Sequence, residues 1–191
     1  MESVNVKSQL FNTRKLILLA LFTGIIIVLQ LLSIIFPIYP FKLNLVLVPI
    51  VIGAALINPL AGLWLGGVFG FVVLITSPDV AFFMSISPLA TILVILSRGY
   101  LTGLSAGVAY RLFEKKNKTI AVLCAALVTP IVNTGIFILG LYLFFESVIG
   151  NVIDFFVAFV FLNFLIELGI NLILCPTIVR LIQIGQKREA A

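Results

Sequence analysis

The sequence predicts an all-α membrane protein: a bundle of six transmembrane helices with both ends of the chain in the cytoplasm. Three observations predict it. The 191 residues are 62% hydrophobic and only 10% charged, with mean hydropathy +1.31. A soluble domain carries about 45–50% apolar and about 25% charged residues, so lipid must be part of the solvent here. Ten of the twelve Lys and Arg residues fall in three clusters: Lys7, Arg14 and Lys15; Arg111, Lys115, Lys116 and Lys118; Arg180, Lys187 and Arg188. Positive charge gathers on the cytoplasmic side of membrane proteins, so an even number of crossings must separate each pair of clusters. The apolar sequence between them divides into lengths near the roughly 20 residues that a span requires.

The first span, Leu16–Phe36, has 21 residues. That exceeds a signal-peptide core of about 7–15 residues, and no small-x-small cleavage site follows, so the segment is expected to be a retained span. A Pro-rich turn, Pro37 to Pro40, leads to Lys42. Apolar sequence then runs from Leu43 to Thr76, 34 residues, which as one helix would measure about 51 Å against a hydrocarbon core of about 30 Å. Asn58-Pro59 is a turn signal. Dividing there gives a short second span, Leu43–Ile57, and a third, Pro59–Thr76. The division also preserves parity, since a single span would place Lys115, Lys116 and Lys118 outside.

A loop is expected from Ser77 to Ser87, with Asp79 its only charge. The fourth span, Pro88–Phe113, ends inside at Arg111 and the polar run Glu114 to Lys118. The fifth, Thr119–Phe145, carries Pro130 and Gly135, where a kink is expected. Glu146 to Asp154 forms the next loop. The sixth, Phe155–Ile182, has Pro176 near its inner end. The loops are too short for a second domain, so residues 1–191 read as one integral-membrane domain.

Several function classes are excluded. There is no histidine, which removes the commonest general base and metal ligand, and no two carboxylates share a span. Cys124 and Cys175 each lie inside an apolar segment, as packing residues do. Gly62, Gly66, Gly67 and Gly70 lead into Phe71 and Val72 rather than into Lys-Ser/Thr, so no phosphate-binding loop is present. No cofactor, metal or nucleic-acid partner is expected, because the basic residues sit where topology requires them.

The remaining polar residues have two readings each. Gly99, Gly103 and Gly107 recur every four residues, which serves close helix packing or a backbone-lined ligand wall. Ala20 and Gly24 form a small-x-x-x-small pair, used within a bundle or between subunits. Arg98 and Glu167 are ionisable residues inside spans, each costing roughly 2.5–3.5 kcal/mol on insertion scales. They serve as a structural pair, or they serve substrate binding or coupling to a partner. Glu167 shares a helix face with Asn163 and Asn171. Lys42 and Asn44 stand at the outer entrance to the second span, where Lys42 either snorkels or binds a ligand. Ser85, Ser87, Thr91 and Asn133 add polar groups near the outer side, and a few such groups on apolar walls are what small-molecule sites contain.

The segments Asn44-Leu-Val-Leu-Val-Pro49-Ile-Val-Ile-Gly53, Asn58-Pro59-Leu-Ala-Gly62, Ser87-Pro88-Leu-Ala and Arg98-Gly99 through Gly107-Val-Ala-Tyr110-Arg111 resemble the substrate-binding S component of energy-coupling factor (ECF) vitamin transporters. The resemblance runs from the first span to Pro176. It implies a six-helix binding protein of a prokaryotic cell membrane with an outward-facing vitamin site. It also implies partners: a transmembrane coupling subunit and two cytoplasmic ATPases. Family members dock through an Ala-x-x-x-Ala pair in the first span. Ala20 and Gly24 match it here, the second with a different small residue. The family's site maps onto Lys42, Asn44, Ser85, Ser87, Thr91 and Asn133, with Asn163 deeper. The loaded subunit is implied to topple in the bilayer, with ATP hydrolysis by the partners driving release. Spans two to four look closest to pantothenate-type members, and an anionic vitamin would explain Lys42 and Arg98 through charge-assisted hydrogen bonds. Riboflavin, folate and cobalamin members are the alternatives within the family. A stand-alone secondary transporter is the alternative outside it, although no inverted repeat of the kind common there is evident.

Overall fold

A computed structural model describes residues 13–35, 45–149, 154 and 160–189. Among the described residues the chain forms seven helices and no strand: α1 (Thr13–Ile35), α2 (Leu47–Leu56), α3 (Pro59–Thr76), α4 (Pro78–Ile86), α5 (Pro88–Phe113), α6 (Lys118–Ile149) and α7 (Phe161–Glu189). Five of them, α1, α3, α5, α6 and α7, are long and apolar enough to cross a membrane. They follow the first, third, fourth, fifth and sixth expected spans. Helix α6 continues to Ile149, past the expected end at Phe145.

The helix starts follow from local chemistry. Asn58 caps α3, its Oδ1 accepting from the Ala61 N–H at 2.7 Å, and Pro59 takes the first helical position, where its missing N–H costs nothing. Asn117 does the same for α6, its Oδ1 accepting from the Thr119 N–H at 2.8 Å. Ser87 and Pro88 open α5 in the same residue order. So do Ser77 and Pro78, and that corrects one expectation. The segment read as a loop from Ser77 to Ser87 contains a nine-residue helix, α4, started by the same polar-Pro pair.

Helix α2 is the centre of the bundle. It has ten residues, about 15 Å by helical rise, and touches α1, α3, α5, α6 and α7. Leu47, Ile50, Val51 and Ala54 are fully buried. A helix surrounded on all sides needs no polar face, which is why this segment is apolar throughout. Arg111 Nη2 donates to the Ile57 carbonyl at 3.5 Å, placing a cation at the α2 C-terminus, where the helix dipole favours one.

Helices α3 and α5 pack antiparallel through glycine. A methyl at Gly62 would overlap the Gly103 carbonyl, one at Gly66 the Gly99 carbonyl, and one at Gly107 would meet the Pro59 backbone. The glycine repeat of α5 is therefore a helix-packing face, not a ligand wall. The outer surface is apolar. On α1, Ile17, Leu21, Val28 and Ile35 are each more than half exposed, a face suited to lipid.

Candidate functional site

The ionisable residues expected inside spans come together through a third residue. Arg98, on α5, donates from Nε to Asn133 Oδ1 at 2.7 Å. Asn133, on α6, donates from Nδ2 to Glu167 Oε2 on α7 at 3.4 Å. Asn133 thus stands between the two charges, and the Glu167 carboxylate attracts the guanidinium electrostatically. Asn133 and Glu167 are buried. Asn171, one turn on, donates from Nδ2 to the Glu167 carbonyl at 2.9 Å. Three helices are tied by one polar chain, and each buried polar group in it would be costly to leave unpaired.

Aromatic rings hold the guanidinium. Its central carbon lies 5.1 Å from the centroid of the Phe137 ring and 6.0 Å from that of Phe69, within cation–π range. Its Nη1 and Nη2 groups make no hydrogen bond to the described residues. Arg98 lies ten residues into α5, about 15 Å from its start.

Towards the α5 N-terminus from Arg98, on the same face, is Thr91, seven residues earlier. Thr91 is buried and donates to the Ser87 carbonyl at 2.8 Å. It lines an apolar cavity with Phe83 of α4, Val94 and Ile95 of α5, and Phe137, Leu141 and Phe145 of α6. Phe83 packs edge-on against Phe145 at 5.0 Å and Phe137 at 6.3 Å. Phe137 therefore borders both the cavity and the guanidinium. The cavity volume is about 10 Å³, the space of about one water, so a ligand of vitamin size entering here must displace α4 or the rings.

The other expected site residues are more scattered. Ser85 is exposed and donates to the Phe82 carbonyl at 2.7 Å. Ser87 caps α5 without a side-chain bond. Asn163 lies in the first turn of α7, one turn from Glu167 and partly buried. Lys42 and Asn44 lie outside the described residues. Sequence reasoning missed the aromatic lining, because Phe83 fell in a presumed loop and phenylalanine is common throughout the chain.

A family model for the substrate-specific component of ECF transporters matches residues 14–179, nearly the whole chain. The chain belongs to the ECF transporter substrate-specific component family. No curated protein matches it. An S component is the substrate-binding subunit of a transporter and works within an ECF complex, which accords with a multi-pass helical protein. In this S component, Ala20 and Gly24 are exposed on α1, and nothing lies within 4 Å of where a Gly24 side chain would begin. Among the described residues, the pair does not pack within the bundle. It opens a shallow stripe on a face otherwise covered by Ile17, Leu21 and Val28.

Proposed function

We propose that this S component binds pantothenate from outside the cell and delivers it through an ECF complex. The observation that carries the reading is Arg98, a guanidinium stacked on Phe137, which also lines an apolar, aromatic cavity, with its Nη edge unpaired among the described residues. A carboxylate is the planar partner that such a fork fits, and the cavity walls suit a short aliphatic chain. Thr91, Ser85, Ser87, Asn133 and Asn163 complete the proposed lining. Lys42 and Asn44 guard the outer entrance.

The topology that serves this function has six spans, with α2 as the short second one and both termini in the cytoplasm. The proposed partners are a transmembrane coupling subunit, seated on the Ala20 and Gly24 stripe, and two cytoplasmic ATPases. This chain carries no phosphate-binding loop, so the energy comes from those partners. Loaded, the subunit topples in the bilayer and releases the vitamin inside.

Mass spectrometry of small molecules that co-purify with the protein tests the reading, followed by titration with pantothenate, riboflavin, folate and cobalamin. Co-purified pantothenate bound in preference to the others supports it. Tighter binding of riboflavin or cobalamin would remove the anion argument and leave the family assignment.

A further inference from the structure

The amide of Asn133 can adopt only one useful orientation. Arg98 is donor-only, so it can meet only Oδ1; an ionised Glu167 is acceptor-only, so it can meet only Nδ2. The observed bonds, 2.7 Å to Arg98 Nε and 3.4 Å to Glu167 Oε2, satisfy both demands at once. Turning the amide over would face donor against donor and acceptor against acceptor. Glu167 therefore holds the Asn133 oxygen towards Arg98. That bond occupies Nε, while Phe137 and Phe69 flank the guanidinium. What remains is the Nη edge.

We propose that Glu167 is the specificity-determining positioning residue of the substrate site. It acts through Asn133 to present the Arg98 Nη edge to a carboxylate, without touching the ligand. The proposal rests on the reading that Arg98 receives an anionic vitamin. Glu167 is 6% exposed on α7, and its link to Arg98 through Asn133 is not visible from its own helix. The neutral Asn133 between the charges has a second consequence. It keeps the guanidinium from being consumed by a direct ion pair, so a ligand carboxylate does not have to displace Glu167.

The test compares two variants that both remove the negative charge. Glu167→Gln keeps an oxygen that can accept from Asn133; Glu167→Leu has similar bulk and no acceptor. Binding of pantothenate and of pantothenol, its uncharged alcohol, is measured on the purified full chain for each variant and the parent. Glu167→Leu should bind pantothenate about tenfold more weakly than Glu167→Gln, while the two bind pantothenol equally. Glu167→Gln should bind pantothenate at least as tightly as the parent, because the opposing charge is gone and the amide is still held. A purely structural role for Glu167 would shift both ligands together. Equal pantothenate affinities in the two variants, or weaker pantothenate binding by Glu167→Gln than by the parent, would overturn this inference while a parent preference for pantothenate leaves the functional reading standing. A parent that does not prefer pantothenate to pantothenol would overturn that reading and this inference with it. Should Glu167→Leu fail to fold, Glu167→Met, of similar bulk and without an oxygen acceptor, takes its place in the comparison with Glu167→Gln.

Discussion

Gly66 on α3 and Gly99 on α5 meet backbone to backbone: a methyl on either would overlap the carbonyl oxygen of the other. Neither helix can yield locally, because the obstacle is main chain rather than a movable side chain. Gly99→Ala should therefore destabilise the protein by about 1–3 kcal/mol, the usual cost of overpacking, read as a lower thermal midpoint in detergent. Gly135→Ala is the control. Nothing lies within 4 Å of that position, and alanine is the better helix former, so its midpoint should equal or exceed the parent's. Equal stability of Gly99→Ala and the parent would refute the close approach.

The exposed stripe on α1 predicts a separation of binding from transport. Ala20→Trp or Gly24→Trp should leave ligand affinity of the isolated protein near the parent value and abolish uptake in cells that supply the partner subunits. A large side chain there blocks close helix approach without entering the bundle. Loss of affinity in the isolated protein would show that the stripe serves the site instead.

Arg98→Lys keeps a positive charge but loses both the Nε bond to Asn133 and the planar fork, so it is not conservative at this position. Pantothenate binding should weaken by roughly 1.5–3 kcal/mol, the range for a hydrogen bond to a charged group, or about tenfold and more. Pantothenol binding should change less. An Arg98→Lys variant with parental pantothenate affinity would mean that the guanidinium is structural.

Lys42 is the only basic residue on the proposed outer side apart from Arg98 within its span. Lys42→Ala should weaken pantothenate binding by a similar margin, again about tenfold, and Lys42→Arg should recover part of it. Unchanged titration curves for Lys42→Ala would assign that lysine to the membrane interface.

Reporter fusions check the orientation. Insertions at Asn117 and at the C-terminus should read cytoplasmic, and one at Glu146 external, because the lysine cluster after α5 should stay inside. An external Asn117 would overturn the six-span topology.

The long helices were legible in the sequence because hydropathy, proline and charge report the bilayer directly. Asn58-Pro59 marks a span boundary in the sequence, and α5 begins at Pro88 as expected, but the Ser77-Pro78 start of α4 is not anticipated. The reason is length: the nine residues of α4 cannot span a membrane, and hydropathy marks only segments that can. The small-residue contact between α3 and α5 was visible as a repeat, but its register, Gly62 with Gly103 and Gly66 with Gly99, depends on how two helices dock. Arg98 and Glu167 stood out as charges in lipid. Their linkage through Asn133 joins residues 35 and 34 positions apart, which no local pattern encodes. The aromatic walls were hidden by abundance: with 17 phenylalanines, nothing singled out Phe83, Phe137 or Phe145.

The glycine contact divides the bundle mechanically. Where α3 meets α5, main chain rests on main chain and there is no slack to take up. On the far side, α6 meets α5 at Gly140 through the Val94 side chain rather than main chain, and no described atom lies within 4 Å of where a side chain would begin at Gly135 of α6 or Gly169 of α7. A vitamin forcing its way into a cavity of about 10 Å³ must find its room on that compliant side, by moving α4, α6 or α7 against a fixed α3–α5 pair. The Arg98–Asn133–Glu167 chain crosses from the stiff part to the yielding one, so it is strained or relaxed by the same motion that admits the ligand. For the proposed site, occupancy would thereby be expressed as a change in the relative placement of helices.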